Sequence, residues 1–248
     1  MTEEVALIVG GGPGISASCA RLFASEGMKV VVAARNIDKE VLKSLAKDHG
    51  ITLIACDASD PESVAALYDT VIDLLGAPTL VVHNIDGRPK DVFRKSITDV
   101  EPGPFLDTLK NSTYSAFLVG QRAAREMLAQ DGRDDHKGTI LFTNASAAMK
   151  GYPLSGAFAA ASQGKSGLAQ SMARELMPQG IHVAHVPIDA AIGWEQPDGS
   201  RAHWIAGETK NDNMAHPDRI AEVYLQLHRQ HQSTWAYEIV LRPWQEKW

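Results

Sequence analysis

The chain has 248 residues and a formal charge of −6, with 44% hydrophobic and 22% charged residues. That is enough apolar material for a sizeable buried core. The acidic balance, with no Lys/Arg-dense face, argues against nucleic acid or an anionic membrane as a partner, and no apolar run approaches the roughly 20 residues a bilayer-spanning helix needs. Cys19 and Cys56 are too few for a disulfide framework and read as buried free thiols of a reducing compartment. Met1-Thr-Glu-Glu is acidic rather than leader-like, so the expectation is a cytoplasmic protein.

In chain order, short apolar runs alternate with amphipathic segments. Val5–Val9, Lys29–Ala34, Thr52–Cys56, Leu80–His83, Thr139–Phe142, His182–Val186 and Tyr237–Leu241 read as strands. Most are apolar on consecutive residues, the mark of strands covered on both faces of a parallel sheet. Ile15–Glu26, Asp38–Asp48, Pro61–Leu75, Phe105–Leu128, Ala157–Met177 and Pro217–Arg229 carry helical patterns. Asp60-Pro61 and His216-Pro217 open two of them with proline at the first helical position. The regular alternation, without repeat or linker, predicts an α/β fold. It is a single doubly wound, Rossmann-like domain over residues 1–248, with a seven-stranded, mostly parallel sheet and helices on both faces. Two irregular stretches, Asp86–Pro104 and Asp189–His216, leave the carboxyl ends of strands, where ligands bind in such sheets.

The first strand runs into Gly10-Gly11-Gly12-Pro13-Gly14-Ile15-Ser16 and a helix follows. Glycines there allow a tight turn and let a pyrophosphate approach main-chain N–H groups at a helix N-terminus. Gly10, Gly12, Gly14 and Ile15 are the candidate phosphate-loop residues, and Ser16 is expected to crowd the helix or the nicotinamide side. The second strand ends Ala34-Arg35 instead of in an acid, so Arg35 can fork onto a 2′-phosphate and NADP(H) is preferred over NAD(H). Asp57 can accept from the adenine amino group or hold a turn. Ala58, Asn84 and Ile188 complete the cofactor candidates.

These features resemble the short-chain dehydrogenase/reductase superfamily. Gly10, Gly14 and Ile15 are similar to its TGxxxGIG loop, Asn84 survives from its NNAG, and Asn111 matches its catalytic-helix Asn. Ser171-Met172-Ala173-Arg174-Glu175-Leu176 with Gly180-Ile181-His182-Val183 is similar to its S-L-A-x-E-L…G-I-x-V stretch. Counting back thirteen residues from Ser171 puts Phe158 at the family's Tyr. Four residues further on Ser162 stands at its Lys, and thirteen before Phe158 Ala145 stands at its Ser. A register shifted by three makes Lys165 the lysine and Ala161 the lost Tyr. The ungapped register matches its flanks better, and in both the phenol is missing. The chain resembles a degenerate branch with Phe for Tyr, to which the tail Leu241-Arg242-Pro243-Trp244 is also similar.

The resemblance implies an oxidoreductase acting on an unknown small molecule, a carbonyl compound or an alcohol, with its proton-transfer residues replaced. The alternative is an inactive NADP(H)-binding pseudoenzyme. Tyr152, Tyr114, Ser146, His83, His185 and Asp86 are the candidate substitute acids, although such residues more often serve packing or the surface. Trp194 and Trp204 suggest an apolar lid. His228 and His231 lack a third ligand, so no metal site is expected. The resemblance further implies a homodimer or homotetramer through the two long helices. The small-residue face Gly156, Ala159, Ala160, Gly164 and Gly167 would pack either on a symmetry mate or on the chain's own sheet.

Overall fold

Alternate residues of each central strand point to opposite faces of the sheet. Ala6 and Ile8 of β1 (Val5–Val9) enter a core with Phe23, Val32, Leu42 and Tyr224. Val5, Leu7 and Val9 enter a second core with Val31, Tyr68, Met127 and Phe142. The unbroken apolar runs follow from this double coverage. The structure is a computed structural model and describes residues 4–130, 136–196, 198–203 and 206–246.

After β1 come α1 (Ile15–Ser25), β2 (Lys29–Ala34), α2 (Glu40–His49), β3 (Thr52–Ala55), α3 (Pro61–Leu75) and β4 (Leu80–His83). The second half holds α4 (Pro102–Leu109), α5 (Ser115–Leu128), β5 (Gly138–Ala145), α6 (Gly156–Leu176), β6 (Ile181–Ile188) and α7 (Pro217–His228). Six strands pair in parallel in the order β3-β2-β1-β4-β5-β6. The order reverses between β1 and β4, which opens a crevice at the strands' carboxyl ends.

The expected seventh strand lies beside β6 without forming a continuous ladder. Tyr237 and Ile239 bond His185, and Leu241 bonds Pro187 and Asp189. These contacts amount to two isolated bridges, His185 to Glu238 and Ile188 to Leu241. Pro187 has no N–H to give Ile239, so the ladder is interrupted there. The expected helix Phe105–Leu128 starts earlier, at Pro102, and α4 joins α5 through a π-helical turn, Lys110–Tyr114. Such a turn widens the helix by one residue and is frequent at functional sites. The stretch after β6 is folded rather than irregular. β7 (Trp194–Glu195), β8 (Arg201–His203) and β9 (Gly207–Glu208) form a small antiparallel sheet.

Helix ends follow their local chemistry. The Asp60 carboxylate accepts from the N–H groups of Glu62 and Ser63, with Pro61 at the first position of α3. Tyr68 then donates to the Val119 carbonyl at 2.9 Å and ties α3 to α5. Asp60→Ala removes the cap and is expected to cost about 1 kcal/mol, lowering the melting temperature by about 2–4 °C for a chain of this size. A calorimetric scan of the two proteins checks it.

Candidate active site in the cleft between β1 and β4

The cleft takes shape where β1 ends. Gly10 has a φ of 111°, and a Cβ there would sit 2.2 Å from the Asn84 carbonyl oxygen. Only glycine lets the β1 turn pass the end of β4 so closely. Gly14 then starts α1 with no side-chain cap and no acid in the first turn. The helix N-terminus therefore presents main-chain N–H groups to an anion. A Cβ on Gly12 would meet nothing within 4 Å, so this part of the loop faces open space.

Ser16, expected to crowd the helix or the nicotinamide side, lines the cleft and is tied down on both sides. Its buried hydroxyl donates to the Gly10 carbonyl and accepts from Asn84 Nδ2 at 2.7 Å. The side chain that departs from the glycine pattern thus stitches the loop to β4.

The cleft has a volume of about 1010 Å³, at the upper end of small-molecule sites. It gathers Gly10, Gly12, Gly14, Ile15, Arg35 and Asp57 with Ala58, Asn84, Ile188, Asn111, Ala145 and Phe158. At the β2 end Lys39 joins Arg35, its Nζ donating to the Gly11 carbonyl at 2.7 Å. Sequence reasoning missed Lys39 because it lies before α2 rather than at the strand end. Asp57 Oδ1 accepts from the Ser59 N–H at 3.0 Å and its hydroxyl at 2.7 Å, and the Ser59 N–H is the main reason its carboxyl is held below the usual range. Asp57 therefore holds a turn and keeps Oδ2 for another donor.

Ser162 does not line the cleft. It is 1% exposed, its hydroxyl has no partner, and its carbonyl accepts from Asn144 Nδ2 at 2.8 Å. Lys165 lines the cleft in its place, and so does Phe158. Seven residues are two helical turns, so both project from one face of α6. Lys165 Nζ donates to the Ile85 carbonyl at 3.0 Å and the Thr143 carbonyl at 3.4 Å. Burial lowers its pKa to about 8. Of the four residues that the two registers name, Phe158 and Lys165 line the cleft, and Ala161 and Ser162 do not.

Asn111 lies in the π-helical turn and donates to the Gly87 carbonyl at 3.3 Å. It braces the loop after β4. Gly87 has a φ of 82°, and a Cβ there would meet the Ser112 nitrogen at 2.9 Å. This tight turn carries Asp86 and Arg88 over α6. Arg88 Nε and Nη2 each lie 2.6 Å from Asp86 carboxylate oxygens, and the guanidinium lies 3.7 Å from the Phe158 ring centroid.

The other substitute acids separate clearly. Ser146 and Asp86 line the cleft. Tyr152 and Tyr114 are 42% and 40% exposed and outside it. His83 is buried against Ser115 at 2.9 Å, and burial holds its pKa well below the ordinary value. His185 is buried between Asn144 and Glu238. His228 bonds Thr139 and Glu4, and no metal-binding group of His, Cys, Asp and Glu occurs among the described residues. Trp194 lines the cleft beside His203, their rings 5.9 Å apart, whereas Trp204 lies outside the described residues.

Residues 10–239 match the family model described as enoyl-(acyl carrier protein) reductase. Tropinone reductase-like 2 of Erythroxylum coca is 35% identical over 73% of this chain and 64% of its own, so the match spans under two thirds of that relative. Mitochondrial borneol dehydrogenase of Lavandula x intermedia is 31% identical over 82% of this chain and 74% of its own. A short-chain dehydrogenase structure from Rhodopseudomonas palustris superimposes with a TM-score of 0.77 at 29% identity, covering 97% of this chain and 99% of that one. The chain belongs to the short-chain dehydrogenase/reductase superfamily.

Ser16→Gly would restore the common loop sequence yet leave the Asn84 amide and Gly10 carbonyl without their partner. It is expected to destabilise the protein by about 1–3 kcal/mol, read as a lower urea midpoint.

Proposed function

We propose that this chain is an NADP(H)-dependent oxidoreductase acting on a carbonyl compound, with Lys165 carrying the proton in place of a phenol. The observation that carries the reading is the Lys165 ammonium in the cleft, two turns along α6 from Phe158. A reduced nicotinamide, when bound, supplies the hydride.

The chain's own residues divide the remaining work. Gly10, Gly12 and the start of α1 receive the pyrophosphate, Arg35 and Lys39 receive a 2′-phosphate, and Asp57 receives the adenine amino group. Lys165 gives two of its three N–H groups to Ile85 and Thr143, which fixes its position and leaves one donor for an oxygen gathering charge. A pKa near 8 makes it a stronger acid than an ordinary ammonium. Ala145 and Phe158 offer no hydroxyl, and Ser146 is the nearest cleft-lining alcohol in sequence to the lost serine. The second reading, an NADP(H)-binding protein without turnover, draws on those same two missing hydroxyls.

The exposed apolar side chains Leu106, Tyr114 and Phe117 along α4 and α5 support a homodimer or homotetramer through the long helices. Gly164 is not free for such a contact, because it packs on Thr113 of its own chain. Two buried free thiols support a reducing, cytoplasmic setting. No helix among the described residues is long and apolar enough to cross a membrane.

A charge-assisted hydrogen bond to a phosphate contributes roughly 1.5–3 kcal/mol, so NADPH should bind at least about tenfold more tightly than NADH. Arg35→Ala should remove most of that preference and Lys39→Ala part of it. Equal affinities in a fluorescence titration of the wild type refute the cofactor assignment.

Wild-type protein should reduce a small activated ketone slowly. Phe158→Tyr alone should raise the rate by at least about a hundredfold, the lower end of the range for one general acid, because the ammonium it needs already stands at Lys165. Reduction by the wild type should fall as pH rises through about 8, as Lys165 loses its proton. A flat profile between pH 6.5 and 9.5 assigns the proton to another group.

A further inference from the structure

The substrate end of the cleft is unusually basic for so acidic a chain. Arg88 and Arg94 both line it, and among the described residues Asp86 is the one acid there. Both guanidiniums lie around one ring, 5.3 Å and 5.8 Å from the Phe93 centroid. Arg88 also lies on Phe158, and burial, with the Arg88 charge adding to it, holds the pKa of His203, across the cleft on β8, below the ordinary value. Asp86 engages the Nε–Nη2 edge of Arg88 and leaves Nη1 as a donor for a ligand. Arg94 sits at a φ of 54°, a left-handed backbone that residues with side chains seldom adopt. Strain at a cleft-lining cation is the pattern expected where a side chain is held out for a ligand.

We propose that Arg88 and Arg94 form a carboxylate-binding subsite, and that the substrate is an oxo acid with a flat apolar body. Asp86 holds one edge of Arg88, and the planar forks that remain on the two guanidiniums match the two oxygens of a carboxylate. The rings of Phe93 and Phe158 supply apolar walls beside the charges, and arginine on an aromatic face keeps its fork oriented. The proposal rests on the carbonyl chemistry assigned above for its substrate, but the subsite binds with or without nucleotide.

The test is a matched pair of probes, phenylglyoxylate and its methyl ester, which share ring and ketone and differ in charge. Calorimetric titration of the wild type, with and without saturating NADP⁺, should give at least about tenfold tighter binding of the acid. Arg88→Gln should bring the acid to the affinity of the ester, and Arg94→Gln should reduce the difference. Both variants should bind NADPH as the wild type does. Equal binding of acid and ester by the wild type, binding of neither, or an unchanged preference in Arg88→Gln overturns the subsite. If Arg88→Gln does not fold, an unchanged preference in Arg94→Gln overturns it. If NADPH fails to bind, the oxidoreductase reading falls, while the acid and ester comparison without nucleotide still decides the subsite.

Discussion

The approach of Gly10 to the Asn84 carbonyl is the constraint on which the rest of the site depends. The parallel sheet reverses its order between β1 and β4, and the two strands can end side by side only if the chain leaving β1 carries no Cβ. Ser16 then closes the gap with two hydrogen bonds, one to each side. A motif that looks defective in one dimension is satisfied in three. The first turn of α1 is thereby fixed against β4, and the loop after β4 is fixed in turn by Asn111 and Gly87 against the π-helical turn.

Most of the architecture was legible because it rests on patterns local in sequence. Consecutive apolar residues announced doubly covered strands, and Asp60-Pro61 announced a helix start that the structure places at the same residue. The failures are non-local. Pro187 interrupts a pairing with a segment some fifty residues away, as an isolated reading of Tyr237–Leu241 does not reveal. The hairpins of β7, β8 and β9 lack alternating apolar runs, so length alone marked that stretch as functional.

The lysine illustrates the same limit within the site. Counting along α6 gives two candidate positions, and both fall on the inward face because four and seven residues are near-whole numbers of turns. Reach decides between them. A serine at 162 is too short to leave the core, and its hydroxyl stays buried without a partner, whereas the long side chain of Lys165 extends to the carbonyls of Ile85 and Thr143 at the cleft floor. Spacing identifies the face, and side-chain length with buried partners identifies the residue.

Charge is distributed against the chain's own sign. The cleft holds five basic side chains, Arg35, Lys39, Arg88, Arg94 and Lys165, against the acids Asp57 and Asp86, in a protein of net charge −6. At physiological ionic strength fields between exposed charges fade over about 8 Å. The acidic exterior therefore does little to draw an anion from a distance, and the attraction is felt only once a ligand has entered. Discrimination must then come from contact geometry inside the cleft rather than from steering. Placing Arg88 on the Phe158 ring fits that requirement, since a stacked and forked guanidinium has little freedom to follow a misplaced ligand. The Phe158 ring thus serves as a platform for a charge.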